Sequence, residues 1–176
     1  ALKIELVAES EKPTFCNPAF HGYWCLNDKG LSGHKLTIQA DHFLPTNEAL
    51  IPKGEIQPVA DTPYDLRQPS ALPAEISLDT NFCLNGSGLR EVARLETDEL
   101  AMIVETDAPG LQVYDAARLD TSPVLGHSGK PYGGHAGIAM EPQFWPDAPN
   151  QPNFPSITLR PGERFSQTSF FRFIRK

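Results

Sequence analysis

Apolar residues recur at every second position in several short stretches of this chain, and a period of two marks half-buried β-strands. Over residues 1–10, Leu2, Ile4 and Leu6 share one face. Over 35–41, Leu36, Ile38 and Ala40 point inward; over 99–106, Leu100, Met102 and Val104 share one side. Gly110–Tyr114 carries Leu111 and Val113 on one side, and 165–173 alternates through Phe171 and Phe173. The 17 prolines and 13 glycines fall between and around these runs. Proline breaks the helical hydrogen-bond ladder, so long helices are excluded almost everywhere. Many short strands separated by turn signals predict an all-β, antiparallel sandwich or barrel. Residues 142–155 are rich in proline and asparagine, but Phe144, Trp145 and Phe154 make them too apolar for a flexible linker. A rigid loop packed against the sheet is the better reading.

Charge and cysteine content narrow the partners. With 15 basic and 22 acidic side chains the formal net charge is -7, so no basic field exists to hold nucleic acid or an anionic membrane. No apolar run reaches the ~18 residues of a membrane span. The first ten residues lack the basic and apolar regions of a signal peptide; they begin inside a strand, which leads us to expect further chain upstream. Cys16, Cys25 and Cys83 are odd in number and irregular in spacing, which is no disulfide framework. They are expected as reduced, mostly buried thiols in a cytoplasmic protein. Cys16 and Cys25 flank His21, yet neither a CxxC nor an HxxxH spacing accompanies them, so no metal is expected.

Three stretches carry candidate chemistry. In Asn17-Pro18-Ala19-Phe20-His21-Gly22-Tyr23-Trp24-Cys25-Leu26 a histidine sits among aromatics beside a glycine; it is either a packed, hydrogen-bonded ring or a proton carrier that titrates near neutrality. In Gly137-Ile138-Ala139-Met140-Glu141-Pro142 an apolar strand ends on a carboxylate, with proline next. Such a glutamate either swings out to solvent or stays in a partly dry pocket with a raised pKa, as a general base does. In Leu78-Asp79-Thr80-Asn81-Phe82-Cys83-Leu84 an aspartate leads an apolar strand. It either caps backbone amides in a turn or accepts hydrogen bonds from a ligand.

Taken in order along the chain, these stretches resemble the aldose 1-epimerase (galactose mutarotase) family. The His21 stretch is similar to the family's catalytic-histidine motif. Asp41-His42-Phe43-Leu44-Pro45-Thr46-Asn47-Glu48-Ala49-Leu50-Ile51-Pro52-Lys53-Gly54-Glu55-Ile56 resembles its "LIPTGEI" segment, the most specific of the matches. Leu78 to Leu84 resembles its "DHNF" stretch, Ala108-Pro109-Gly110-Leu111-Gln112-Val113-Tyr114 its "PGLQ" strand, and the run from Glu141 to Ser156 the segment with its catalytic glutamate. Trp24 and Cys25 stand where the family usually has phenylalanine and asparagine, Phe20 precedes the histidine in place of a polar residue, Thr80 replaces a histidine, and Ala116 and Ala117 replace small polar residues.

The resemblance implies a galactose-mutarotase-like β-supersandwich, with residues 1–176 as the C-terminal half of a single epimerase domain. It implies an isomerase that interconverts the α and β anomers of a free hexose such as galactose or glucose, without a cofactor. Glu141 would act as base, His21 as acid, and Asp79 as a ligand to sugar hydroxyls. The family's N-terminal half supplies an arginine and a second histidine that match no position here. The expected partners are therefore a monosaccharide, and either a chain bearing the N-terminal half or a second copy. A sandwich cut through its middle would also leave inner-face residues open to water. Two other functions fit the residues less fully. A glycoside hydrolase would use Asp79 and Glu141 as its carboxylate pair but give His21 no role, and cleavage of a chromogenic glycoside would reveal it. A non-catalytic sugar-binding module of the same fold would have no use for an intact His21 and Glu141.

Overall fold

The computed structural model describes residues 1–72 and 76–176. Its strands are β1 (Leu2–Glu9), β2 (Thr14–Phe15), β3 (Tyr23–Trp24), β4 (Lys35–Ile38), β5 (Ala40–Phe43), β6 (Gln57–Pro58), β7 (Ser70–Ala71), β8 (Asp79–Leu84), β9 (Arg90–Glu96), β10 (Leu100–Thr106), β11 (Gly110–Tyr114), β12 (Ile138–Gln143), β13 (Thr158–Leu159) and β14 (Arg164–Arg175). One sheet has the order β1-β14-β10-β9-β4-β7 and the other β3-β12-β11-β8-β5-β6, with β13 and β2 forming a small ribbon. The named pairings are antiparallel, as the alternating pattern predicts. Among the described residues no helix is long and apolar enough to cross a membrane.

The core lies between the two sheets. Leu36, Leu95, Met102, Val104 and Phe171 of the first sheet meet Phe82, Leu111, Val113, Ile138 and Met140 of the second, and all are buried. The alternation in β11 and β12 thus sends Leu111, Val113, Ile138 and Met140 inward and turns Gln112, Tyr114, Ala139 and Glu141 to the opposite face. The two sheets close on one another over most of their inner faces, so the wide opening expected for a half-length chain is confined to the margin at β1 and the end of β14. At the margin of the first sheet, Leu2 and Phe173 lie on the face of Phe171 yet stay exposed, while Val7 and Ile174 are exposed on its other face.

Three local expectations are corrected. Residues 35–41 do not form one strand: β4 belongs to the first sheet and β5 to the second, and the chain crosses at Gln39. There the Gln39 N–H donates to the Val92 carbonyl and the Gln39 carbonyl accepts from Asn85 N–H. Leu36, Ile38 and Ala40 remain buried throughout because all three face the core. Phe173 shares the face of Phe171 but is exposed, for β14 runs on past the packed part of the sandwich. Cys25 is exposed rather than buried, its thiol turned to the carbonyls of Asn27 and Gly30.

The proline-rich run 142–155 packs as expected. A short 3₁₀ turn, Ala148–Asn150, follows Asp147. Trp145 stacks edge-on against Phe154 and donates its indole N–H to the Pro109 carbonyl at 3.0 Å. With Leu44, Cys83 and Ala148 these rings make a second apolar cluster on the outer face of the second sheet.

Candidate active site

The outer face of the second sheet carries the polar side chains that the core strands turn away from their apolar neighbours. Strand pairing arranges them in rows. Glu141 of β12 lies opposite Gln112 of β11, which lies opposite Asn81 of β8. The adjacent row runs Tyr23, Ala139, Tyr114, Asp79 across β3, β12, β11 and β8. Neighbouring strands are ~4.8 Å apart, so these groups line a shallow strip rather than a scattered surface.

His21 reaches the strip from the irregular segment before β3, and two features hold it there. The Asn17 side-chain amide donates to the Phe144 carbonyl at 3.0 Å and accepts from the Phe144 N–H at 2.8 Å, tying the segment to the end of β12. Phe20 turns inward against Trp24 and Phe171, and this ring lies so close to Gly22 that a Cβ there would come within 2.5 Å of it. With Phe20 turned into the core, His21 projects outward, its ring 5.1 Å from that of Tyr23. Its Nε2 is 3.4 Å from Glu141 Oε1.

The two partners differ in environment. The Glu141 side chain is 8% exposed, that of His21 53%. Burial raises the Glu141 pKa above its ordinary value; His21 pulls it back down and the nearby Asp79 raises it further. Glu141 does not end its strand as the sequence suggests, because β12 continues through Pro142 to Gln143. Its mid-strand position explains why the carboxylate stays buried instead of swinging to solvent. Tyr23 also has a raised pKa, chiefly from burial and then from Tyr114, Glu141 and Asp79, so it stays a neutral hydroxyl beside the pair.

Asp79 starts β8 and does not cap a turn. One of its carboxylate oxygens accepts from Gln112 Nε2 at 2.8 Å. The structure therefore brings His21 and Glu141 into direct proximity and sets Asp79 on the same face, bonded to Gln112, the cross-strand neighbour of Glu141. The sequence motifs leave Gln112, Tyr23 and Asn17 without roles in the site. For Gln112 a signal exists: in Gly110–Tyr114 it occupies the face opposite Leu111 and Val113. Asn17 has no such signal, since its partner is the backbone of Phe144, 127 residues away. Among the described residues no group of three or more His, Cys, Asp or Glu side chains gathers to hold a metal ion.

The aldose 1-epimerase family profile matches residues 1–172. The chain belongs to the aldose 1-epimerase family. It is 39% identical over 184 residues to galactose mutarotase of Bos taurus, covering 98% of this chain and 54% of that protein. It is 32% identical over 191 residues to aldose 1-epimerase of Escherichia coli K12, covering 98% of this chain and 55% of that one. A solved aldose epimerase homologue from C. elegans superposes with a TM-score of 0.92 at 27% identity, over 98% of this chain and 55% of the other. Galactose 1-epimerase from Lactobacillus acidophilus gives 0.78 at 30% identity, over 98% and 53%. The all-β, antiparallel sandwich is thus the mutarotase-like fold, and the chain spans about half the length of the relatives it matches.

Proposed function

We propose that the protein containing these residues is an aldose 1-epimerase acting on a free hexose such as galactose or glucose, with Glu141 as general base and His21 as general acid. The observation that carries the reading is the 3.4 Å approach of a half-exposed imidazole to a buried carboxylate whose pKa is raised. Mutarotation needs two such groups. The base takes the proton of the anomeric hydroxyl while the acid gives one to the ring oxygen. The bond between C1 and the ring oxygen breaks, leaving an open-chain aldehyde. Rotation about C1–C2 presents the other face of the carbonyl, and the reverse transfers close the ring and restore both groups.

Each partner suits its part. Desolvation makes the Glu141 carboxylate a stronger base than a solvated one. An imidazole holds or releases a proton near neutrality without special tuning. The reactive state is ionised Glu141 beside protonated His21, and no net proton is consumed in a full cycle. Asp79, held by Gln112, is placed to accept hydrogen bonds from sugar hydroxyls, while Tyr23, kept neutral by its raised pKa, and Tyr114 flank the strip.

We further propose that residues 1–176 are the C-terminal half of the epimerase domain, and that the N-terminal half covers the outer face where His21 stands half exposed. The order of motifs and the 54% coverage of the relatives support this. The three free cysteines suit a reducing compartment such as the cytoplasm. Polarimetry on freshly dissolved α-D-galactose tests the activity directly. The full-length protein should speed the approach to anomeric equilibrium, and substitution of either His21 or Glu141 should remove most of that acceleration.

A further inference from the structure

At the far end of the Glu141–Gln112–Asn81 row, the sheet face drops into a pocket of about 110 Å³. Leu44 and Pro146 wall it, and Asp79, Asn81, Gln112 and Gln143 supply its polar lining. Asn81 is the unusual member. It is only 2% exposed, yet both its side-chain oxygen and its side-chain nitrogen lack a hydrogen-bond partner. A buried primary amide offers two donors and an acceptor, and leaving them all unused is costly unless something else supplies partners.

The surroundings keep this amide in place. A Cβ on Gly110 would come within 2.8 Å of Asn81 Oδ1, 2.8 Å of Trp145 Cδ1 and 3.0 Å of the Gln143 carbonyl. The glycine thus leaves room for the amide and Trp145 side by side. The opposite wall is the loop through residues 44–52, pinned by Asn47 Oδ1 accepting from the N–H groups of Ala49 and Ile51 and by a bridge between Thr46 and Pro52. A single water needs roughly 10–15 Å³, so the pocket has room for a hydroxyl-bearing edge of a ligand. Its lining asks for a neutral group that both donates and accepts. A hydroxyl fits, giving its proton to Asp79 or to Asn81 Oδ1 and accepting from Asn81 Nδ2.

Resting on the epimerase reading above, we propose that Asn81 is a specificity-determining residue that binds a hydroxyl on the side of the sugar ring away from the reacting carbon, on C3 or C4. The geometric reason is direction. The row spans two strand spacings, about 10 Å, from Glu141 to Asn81. A pyranose laid along it with C1 at Glu141 and His21 turns its C3–C4 edge toward the pocket. Asn81 touches no reacting atom in this arrangement, so its loss affects ground state and transition state alike.

The test uses the full-length protein and the variant Asn81→Leu, which keeps the shape of the side chain and removes its hydrogen bonding. On galactose KM should rise at least ~10-fold, the loss of about one good hydrogen bond, with kcat and the pH profile unchanged. On either 3-deoxy- or 4-deoxygalactose the difference between variant and wild type should vanish. No change in KM, or an equal penalty on all three sugars, overturns the proposal. A second measurement needs neither turnover nor a folded variant: the Asn81 side-chain NH₂ resonance of the ¹⁵N-labelled wild type is followed during titration with the same sugars. It should shift with galactose and not with the deoxy sugar that lacks the bound hydroxyl, and the absence of any shift overturns the proposal. If the wild type fails to accelerate mutarotation yet the resonance shifts, the pocket stands and the epimerase reading falls. If the wild type is active, the resonance does not shift and the variant is unaffected, the epimerase reading stands and the pocket falls.

Discussion

Glu141 is placed at a cost to the fold. The apolar lead-in Ile138–Ala139–Met140 and the pairing with β11 hold its carboxylate out of water, and burial followed by Asp79 raises its pKa, against the opposing effect of His21. The sign of the consequence is fixed. A carboxyl with a folded-state pKa above its unfolded value favours the native state when protonated and opposes it once ionised. Glu141→Gln should therefore raise the melting temperature at pH 8. The gain should shrink as pH falls through the raised pKa and disappear below the ordinary glutamate value of 4.5. Thermal denaturation of both proteins from pH 4 to 8 reads this; a gain that grows toward low pH would contradict it. Asp79 belongs to a different class. Held by Gln112 and away from the reacting carbon, it is expected to bind ground and transition states alike, so Asp79→Asn should raise KM more than it lowers kcat. Steady-state kinetics that show kcat collapsing at constant KM would give Asp79 a chemical role instead.

At the scale of elements, the site is a product of strand register. Glu141, Gln112 and Asn81 align because β12, β11 and β8 pair in one register, and a slip of one residue would turn all three into the core. Gly110 anchors that arrangement, since any Cβ there would be crowded by Asn81, Trp145 and the Gln143 carbonyl. Gly110→Ala should cost about 1–3 kcal/mol of stability, as overpacking in a close-packed site does, and denaturant unfolding measures it; a neutral result would mean that the loop carrying Trp145 yields freely. Much of this is legible in the sequence. Period-two alternation locates β1, β10, β11 and β14, and the inward Leu111 and Val113 already imply an outward Gln112. What alternation cannot reveal is where a strand changes sheets. Leu36, Ile38 and Ala40 read the same whether or not the chain crosses at Gln39, because both sheets face one core. Nor does the pattern show long-range ties such as Asn17 to Phe144, or the empty hydrogen-bonding capacity of Asn81, which depend on what packs nearby in space.

For the molecule as a whole, a closed inner core coexists with an open outer site face. The sandwich buries Phe82, Phe171 and their neighbours without outside help, while His21 keeps half its side chain exposed. The 176 residues span about half of each relative matched, and an N-terminal half lying over that open face is the arrangement proposed here. The chemistry itself rests on His21 and Glu141. It is tested most directly by polarimetry of α-D-galactose mutarotation across pH, with the full-length wild type, His21→Asn and Glu141→Gln. Each variant should lose at least ~10²-fold in kcat, the usual contribution of a general acid or base. The wild-type rate should fall on the acid side with a midpoint above 4.5, and that limb should be missing from Glu141→Gln. Turnover near the wild-type rate in either variant would contradict the assignment of that residue.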